Sequence, residues 1–322
     1  MLLPLSIPSP SWSSFVVGPF TIHAYALCIL FGMIVAVLMS NARLTRRGAE
    51  RWVVLDIGFW VIVLGIIGAR TYHVLTHPFD YFGAGKNLWD VFAIWEGGIA
   101  IFGALIGGTI GALIGCRIAG IRFFSFADAV VPGVLLAQAC GRFGNYFNHE
   151  LFGIPTTLPW GLQIESTNAA FPTGLPAGTL FQPTFLYEII WDVAGVLVML
   201  ALDRRFSLRW GRMLGVYLVW YGIGRSYLES IRIDPSEVFL GVRTNIWAAW
   251  AAVLLGLIVW IISAHEHKGV EISPYLRGRG PRASGGGDGG VSSEDSDSRY
   301  VVTDMTTGEL AGSRGDSAPA TS

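Results

Sequence analysis

The sequence predicts an all-α polytopic membrane protein with about seven transmembrane helices, and three observations support this fold class. Hydrophobic residues make up 52% of the 322 residues and charged residues only 14%, which is too apolar for an ordinary soluble domain. Several apolar stretches reach the ~20 residues that cross a bilayer as a helix. The arginines are concentrated in alternate connections between those stretches.

Seven apolar windows fit this length, near residues 20–40, 52–73, 93–115, 124–140, 184–202, 213–231 and 245–264. The fourth and the sixth also contain polar residues. Most arginines lie in the connections 43–51, 117–122 and 204–212 and in the stretch after 267. Because basic connections stay in the cytoplasm, the N-terminus is predicted outside and the C-terminus in the cytoplasm.

Two regions follow from this pattern. Residues 1–269 form the predicted transmembrane domain, with a long outer-side loop over residues 141–183. From residue 270 to 322 the chain is rich in Gly, Ser and Asp and has almost no apolar runs. Such a segment cannot bury enough apolar surface to fold, so we expect a disordered cytoplasmic tail.

The third window has glycine at every fourth position, which places these residues on one helix face. Small residues at this spacing allow the backbone of a second helix to approach closely. We therefore expect tight helix packing along Gly103, Gly107, Gly111 and Gly115.

The sixth window has polar residues at helical spacing. Tyr221, Arg225, Glu229 and Arg232 stand at i, i+4, i+8 and i+11 and share one narrow stripe. Ionisable residues inside a membrane are energetically unfavourable and usually face the bundle interior at a functional site. Arg225 and Glu229 can pair across one turn. The stripe is either a structural ion pair near the outer interface or the wall of a polar cavity where Arg225 binds an anion.

A second polar stretch, "GRFGNYFNHE", covers residues 141–150. If it is helical, Arg142, Asn145 and His149 share a face, and Gly141 and Gly144 allow close approach on another. The alternative is a polar helix end at the membrane surface. Two windows that present arginines at the same side point to an anionic ligand, and phospholipid headgroups are the abundant anions there.

Two further charged residues are predicted to be buried in the fifth window, where Glu188 and Asp192 stand one turn apart in an apolar sequence. The bundle interior is the favourable place for both. These charges fit a lipid-modifying enzyme of the outer side or a transporter for a small organic anion. A transporter usually has repeated halves and a site at mid-membrane, whereas no internal repeat is found and the polar cluster leans to the outer side. A non-catalytic scaffold or lipid sensor would not need two converging arginines.

The stretch "GRFGNYFNHELFG", residues 141–153, resembles the signature of the prolipoprotein diacylglyceryl transferase family, with all its fixed positions present. The family's other segments follow in order along residues 20–264: "HAYAL", "IWEGGIA", "FADAVVPG" with Asp128, "QPTFLYE" and "YGIGRSYLESIR". The tail lies outside the resemblance.

The resemblance implies a multi-pass enzyme of the bacterial cytoplasmic membrane. Family members transfer the diacylglyceryl group of phosphatidylglycerol to the lipobox cysteine of a prolipoprotein and release glycerol phosphate. The implied partners are phosphatidylglycerol, prolipoprotein signal peptides and membrane lipid. No cofactor, metal or nucleic acid is expected.

The resemblance also implies roles for individual residues. Arg142 and Arg225 would bind the phosphate and stabilise the leaving group, and Tyr25 would stand beside the reacting centre. Tyr221 and Glu229 would orient Arg225. The headgroup site would be shaped by Asn145, Asn148, Glu150 and Gly153.

Two positions depart from the family pattern. Phe102 stands where many members have a histidine that is a proposed base, and Gln182 stands where many have the histidine of His-Pro. The base is therefore unassigned, with His149 and His23 as candidates by location only.

Overall fold

The computed structural model describes residues 6–83, 85–267, 269 and 271–280, and these form a helical bundle with short strands at one end. The helices are α1 (Ala24–Arg46), α2 (Val53–Thr76), α3 (Pro78–Tyr81), α4 (Ile101–Ala119), α5 (Phe123–Phe147), α6 (Thr184–Phe206), α7 (Arg212–Ile231) and α8 (Thr244–Glu266). The strands are β1 (Ser14–Val17), β2 (Phe20–His23), β3 (Pro155–Thr156), β4 (Leu162–Gln163), β5 (Leu180–Phe181), β6 (Val238–Phe239) and β7 (Val242–Arg243).

Six of these helices are long and apolar enough to cross a membrane, namely α1, α2, α4, α5, α6 and α8. The all-α polytopic fold is therefore confirmed. Helix α7 has 20 residues but lies outside this set, because the charged stripe dilutes its apolar sequence. The count of seven spans and the orientation of the termini stay predictions.

Two predicted boundaries differ most from the structure, by seven or eight residues. The window near 93–115 is wrong at its start, since α4 begins only at Ile101. Two short 3₁₀ turns precede it (Leu88–Phe92 and Ile94–Glu96), and Gly97 and Gly98 then adopt positive φ angles of 91° and 72°. This conformation favours glycine and interrupts a helix. The window near 124–140 is too short, because α5 continues to Phe147.

The glycine face of α4 packs against α2, which confirms the predicted close approach. A Cβ atom at any of its four positions would crowd the α2 backbone, and at Gly107 it would overlap the carbonyl group of Leu64. In the rest of the bundle α1 packs against α5, α7 packs against α8, and α5, α6 and α7 contact one another. The last three helices form the part of the bundle that contains the predicted site.

A buried carboxylate fixes the start of α7. The side chain of Asp128 on α5 is fully buried and accepts hydrogen bonds from the backbone N–H groups of Gly211 (2.8 Å) and Leu214 (2.9 Å). The first N–H groups of a helix have no partner within the helix, so Asp128 serves as a cap supplied by a neighbouring helix. This contact ties α7 to α5 at one end of the bundle.

At the same end, residues 271–280 lie against the chain between α4 and α5. Tyr275 is buried, pairs with Ile121 in a β-bridge and accepts a hydrogen bond from Glu50 N (2.9 Å). Glu271 pairs with Arg122 at 3.5 Å. The rest of the predicted cytoplasmic tail, from 281 onward, lies outside the described residues.

At the opposite end, the connection between α5 and α6 forms a small three-stranded sheet in the order β3-β5-β4. Phe181 of β5 is fully buried in its core. Gly153 pairs in a β-bridge with Arg232, just after α7. The loop therefore connects the end of α5 to the end of α7.

Two adjacent glycines of α4 give a matched test of this packing. We expect Gly107→Ala to lower the free energy of unfolding by about 1–3 kcal/mol, because the new methyl group overpacks the helix contact. Gly108→Ala should be neutral or slightly stabilising, since its Cβ would meet Val61 Cγ1 at an ordinary 3.7 Å. Thermal unfolding of the detergent-solubilised variants measures the difference. Equal midpoints for both variants would contradict the packing.

Candidate functional site

The stretch at residues 141–150 includes the last turns of α5. Arg142 and Asn145 share a helix face as predicted, and Arg142 Nη1 donates a hydrogen bond to Asn145 Oδ1 (3.2 Å). The predicted third member of this face is wrong: the helix ends at Phe147, and His149 follows with φ = 52°. Its Nδ1 lies 3.0 Å from Glu165 Oε2 and its Nε2 lies 2.8 Å from the carbonyl oxygen of Pro10. His149 therefore faces the loop.

Glu150 accepts hydrogen bonds from the side chains of two asparagines. Asn145 Nδ2 donates to Glu150 Oε1 at 2.9 Å and Asn148 Nδ2 donates to the same oxygen at 3.2 Å. Asn145 is 5% exposed, and its carboxamide joins Arg142 on one side to Glu150 on the other. The structure thus brings four of the predicted site residues into one hydrogen-bonded chain.

The glycines of this stretch differ in their surroundings. A Cβ at Gly144 would overlap the ring of Tyr25, so Tyr25 packs directly on the α5 backbone. The expectation for Gly141 is wrong, because nothing lies within 4 Å of a Cβ built there. Tyr25 lies in the first turn of α1, and His23 precedes that helix with its side chain exposed.

Gly153 lies where the loop joins the end of α7. Its N–H donates to the carbonyl oxygen of Gln182 at 2.9 Å. A Cβ would lie 3.0 Å from the carbonyl oxygen of Ile231 and 3.0 Å from Gln182 Cβ. The absence of a side chain at Gly153 therefore lets three segments of backbone meet beside the site.

The stripe on α7 is organised around Glu229, which is fully buried, but its predicted last member, Arg232, lies just after the end of the helix. Glu229 Oε2 lies 2.8 Å from Arg225 Nη2, which confirms the predicted pair across one turn, and 3.6 Å from Arg232 Nη1. Tyr221 lies one turn before Arg225, and its ring stacks on Tyr217 with centroids 6.0 Å apart.

The two predicted arginines line one pocket between α5, α6 and α7. Arg142 and Arg225 share it with Glu188, Asp192 and Tyr221. The pocket holds about 20 Å³, which is room for roughly one water molecule. Arg142 forms an ion pair with Glu188 through its Nε. Both carboxylates are buried, so two guanidinium groups and two carboxyl groups meet in this small space.

A pair of tryptophans holds α6 and α7 together beside this pocket. Trp191 Nε1 donates to the carbonyl oxygen of Trp220 (3.2 Å), and Trp220 Nε1 donates to that of Trp191 (3.1 Å). Their rings stack with centroids 4.4 Å apart. Each indole lies over a glycine of the facing helix, Gly224 and Gly195 respectively. This reciprocal contact sets the distance between the helices that carry Glu188 and Arg225.

Sequence reasoning missed three residues of the site. Arg243 Nε lies 3.0 Å from Glu229 Oε1, and Asn245 Nδ2 donates to the same oxygen at 2.9 Å. Asp234 forms a two-point ion pair with Arg232, at 2.7 Å and 2.9 Å. The hairpin β6-β7 brings Arg243 back to Glu229, so helical periodicity could not reveal it. The only sequence signal for Arg243 was its position as a charged residue next to the seventh apolar window.

The carboxyl group of Asp234 has a perturbed pKa. Burial alone would raise this pKa, but the hydrogen bond from Arg232 and the charges of Arg232 and Arg243 outweigh burial and hold it below its ordinary value of 3.8. These contacts favour the ionised form. Asp234 therefore stabilises the loop after α7 as a carboxylate.

Comparison with known proteins gives a consistent result. A family model described as "Prolipoprotein diacylglyceryl transferase" matches residues 13–262. A phosphatidylglycerol--prolipoprotein diacylglyceryl transferase of Leifsonia xyli is 60% identical over 281 residues, covering 84% of each chain. A protein of the same name with the suffix 2, from Streptomyces coelicolor, is 42% identical over 85% of this chain and 86% of its own. The Bifidobacterium longum protein of that name is 43% identical over 80% and 85%.

The lowered pKa of Asp234 predicts a pH-dependent stability. A carboxyl group whose pKa is lowered by folding stabilises the fold at pH values above its ordinary pKa. This contribution is lost as the pH falls through the lowered pKa of the folded protein. We expect Asp234→Asn to lower the thermal unfolding midpoint at about pH 7, and the difference from wild type to close as the pH falls below 3.8, the ordinary pKa of the carboxyl group. The control is Asp80→Asn, an exposed carboxylate with no ion pair among the described residues. A gap of equal size at both pH values would contradict the assignment.

Proposed function

The chain belongs to the prolipoprotein diacylglyceryl transferase family, and from this premise we propose that it transfers the diacylglyceryl group of phosphatidylglycerol to the lipobox cysteine of prolipoproteins. It is a transferase of lipoprotein biosynthesis that releases glycerol phosphate. The sequence alone also allowed a small-anion transporter. The family match favours the transferase, and nothing in the described residues favours transport.

The observation that supports the site is the meeting of Arg142 and Arg225 in one pocket. The two arginines come from different helices of an apolar bundle, where an unmatched charge is strongly unfavourable. A guanidinium group binds phosphate through two parallel N–H groups. We therefore propose that both arginines bind the phosphodiester of the lipid headgroup.

This arrangement suits the bond changes of the transfer. The substrate thiol loses its proton, and its sulfur attacks the glyceryl carbon next to the phosphate. A carbon–sulfur bond forms while the carbon–oxygen bond breaks, and glycerol phosphate leaves with the electron pair of that bond. The phosphate gains one negative charge in this step. Fixed guanidinium groups in a site with little water stabilise the developing charge strongly.

Lipid binding requires a change of partners in the pocket. Arg142 is neutralised by Glu188 in the described structure, and a space of about 20 Å³ is too small for a phosphate group. We propose that the phosphate replaces Glu188 as the partner of Arg142 while the side chains reorient. The carboxylates keep the arginines matched when no lipid is bound.

The remaining predicted residues have supporting positions in this proposal. Asn145, Asn148 and Glu150 form the hydrogen-bonded chain beside Arg142, so they would shape the headgroup site. Tyr25 packs on the same turn of α5 and would lie beside the reacting centre. Gly153 would keep the loop close to the end of α7. Tyr221 and Glu229 would orient Arg225 within that helix.

The thiol proton needs an acceptor. Phe102 is the second residue of α4, and its ring centroid lies 6.2 Å from that of Tyr72 on α2, so this position supplies no proton acceptor. His149 and His23 stay candidates by location. The contacts of His149 with Glu165 and Pro10 would have to open for it to reach a thiol.

We further propose seven spans, with α7 as the seventh, in the bacterial cytoplasmic membrane. Helix α7 packs between α6 and α8. Its charged stripe faces residues of α5 and α6 in the pocket and Arg243 in the connection to α8. The distribution of arginines then places the N-terminus and the site outside and the C-terminus in the cytoplasm. Residues 1–269 would be the catalytic domain, and residues 270–322 would be a cytoplasmic tail.

The function is tested by a transfer assay with purified protein. We expect a lipobox peptide to gain the mass of one diacylglyceryl group on its cysteine when phosphatidylglycerol is present. Mass spectrometry of the peptide measures the product. The absence of any mass shift, under conditions in which the Leifsonia xyli relative is active, would contradict the proposal.

The same assay tests the phosphate site. Arg142→Gln and Arg225→Gln should each lower the transfer rate by at least about 100-fold, because each removes fixed donors from the developing charge. The matched control is Arg204→Gln, which changes an exposed arginine of α6 and should keep the wild-type rate. Deletion of residues 281–322 should also keep it. Near-normal rates in both pocket variants would overturn the assignment of the arginines.

A further inference from the structure

We propose that Arg243 is a positioning residue for the transfer reaction, acting on Arg225 through Glu229. The inference rests on the proposed function, since it assigns a role in binding and stabilising the lipid phosphate. Arg243 lies one residue before α8, outside the sequence stripe that carries Arg225. It is joined to that stripe only by the folded structure.

The two oxygens of Glu229 are held from opposite sides. Oε1 accepts a hydrogen bond from Asn245 Nδ2 at 2.9 Å and lies 3.0 Å from Arg243 Nε, a charge contact without an aligned hydrogen bond. Oε2 lies 2.8 Å from Arg225 Nη2. Rotation about the last side-chain bond of glutamate is soft, so contacts on one oxygen fix the direction of the other. Arg243 and Asn245 therefore decide where Oε2 meets Arg225.

Arg243 is itself held at several points. Its Nη1 donates to the carbonyl oxygen of Arg232 at 2.7 Å, and its Nη2 donates to the carbonyl oxygen of Asp234 at 2.8 Å. The Asp234 carboxylate lies 3.3 Å from the same Nη2. The planar guanidinium fork reaches all of these acceptors while its Nε faces Glu229. A lysine ammonium group could not span them.

Arg225 is held much less firmly. Among the residues that the structure describes, Glu229 is its only ion-pair partner. No aligned hydrogen bond reaches Glu229 Oε2 within the described part of the chain, so the contact is one of charge. Arg225 therefore keeps N–H donors for the pocket that it shares with Arg142.

The charges of this cluster do not cancel. Three arginines, Arg225, Arg232 and Arg243, surround the carboxylates of Glu229 and Asp234. Arg232 binds Asp234 through two short contacts. Glu229 is shared mainly between Arg225 and Arg243, with Arg232 Nη1 farther away at 3.6 Å. Within this cluster one positive charge is in excess, next to a pocket whose other charged groups are Arg142, Glu188 and Asp192. If Arg243 were absent, Glu229 could turn both oxygens to Arg225 and neutralise it.

This mechanism predicts a specific kinetic effect of Arg243→Met. We expect kcat/KM for phosphatidylglycerol to fall about 10-fold to 100-fold, because a small displacement of a charge-stabilising group has this order of effect. Most of the loss should appear in kcat, since the phosphate charge is greatest in the transition state. KM for the lipobox peptide should not change. Rates are measured with the full chain in lipid nanodiscs of defined phosphatidylglycerol content.

The matched control is Arg209→Met at the other end of the bundle. Arg209 also joins a carboxylate, Asp203 at 2.7 Å, to a backbone carbonyl, that of Leu208 at 2.9 Å. A purely structural role would lower the unfolding midpoint in both variants and leave their kcat values alike. The proposal predicts that only Arg243→Met lowers kcat. Equal kcat values for the two variants would overturn it.

Two further variants keep the test informative if Arg243→Met folds poorly. Arg243→Lys keeps the charge but loses the fork, so its kcat/KM should be intermediate, and a wild-type value would overturn the positioning role. Asn245→Ala removes the other contact of Oε1, and its effect should not add to that of Arg243→Lys. Full additivity would show that Arg243 acts by another route. Inactive wild-type protein would instead contradict the proposed function.

Discussion

A guanidinium group inside an apolar helix bundle must be matched by an opposite charge, and the architecture around the site follows from this constraint. Arg142 of α5 is matched by Glu188 of α6, and Arg225 of α7 is matched by Glu229 one turn away. The first pair joins neighbouring helices at the pocket, and the second depends on residues beyond the end of α7. In the proposed function, the lipid phosphate replaces Glu188 as the partner of Arg142, so lipid binding would be an exchange of anionic partners.

The helix packing gives the arginines a fixed framework. Asp128 caps the start of α7 from within α5, and the reciprocal Trp191–Trp220 contact holds α7 to α6 beside the pocket. Both contacts satisfy polar groups across helices, as apolar surroundings require. Such a framework limits reorganisation when charge develops on the phosphate, which is the basis of electrostatic stabilisation.

Helical periodicity predicted those parts of the site that lie within one helix. The α7 stripe, the glycine face of α4 and the shared face of Arg142 and Asn145 all follow from spacing. The interior location of Glu188 and Asp192 followed from their charge in an apolar stretch, but the partner of Glu188 did not. Arg243 contacts Glu229 because a hairpin brings it there. His149 does not share the face of Arg142 and Asn145 because α5 ends before it. Such contacts between elements leave no periodic signal in the sequence.

The central claim is that Arg142 and Arg225 together hold the lipid phosphate. It is tested most directly by a cryo-electron microscopy structure of the protein in nanodiscs with bound phosphatidylglycerol. The account predicts phosphate oxygens within hydrogen-bond distance of both guanidinium groups, with Glu188 no longer paired to Arg142. A bound lipid whose phosphate contacts neither arginine, while Arg142 remains on Glu188, would contradict it.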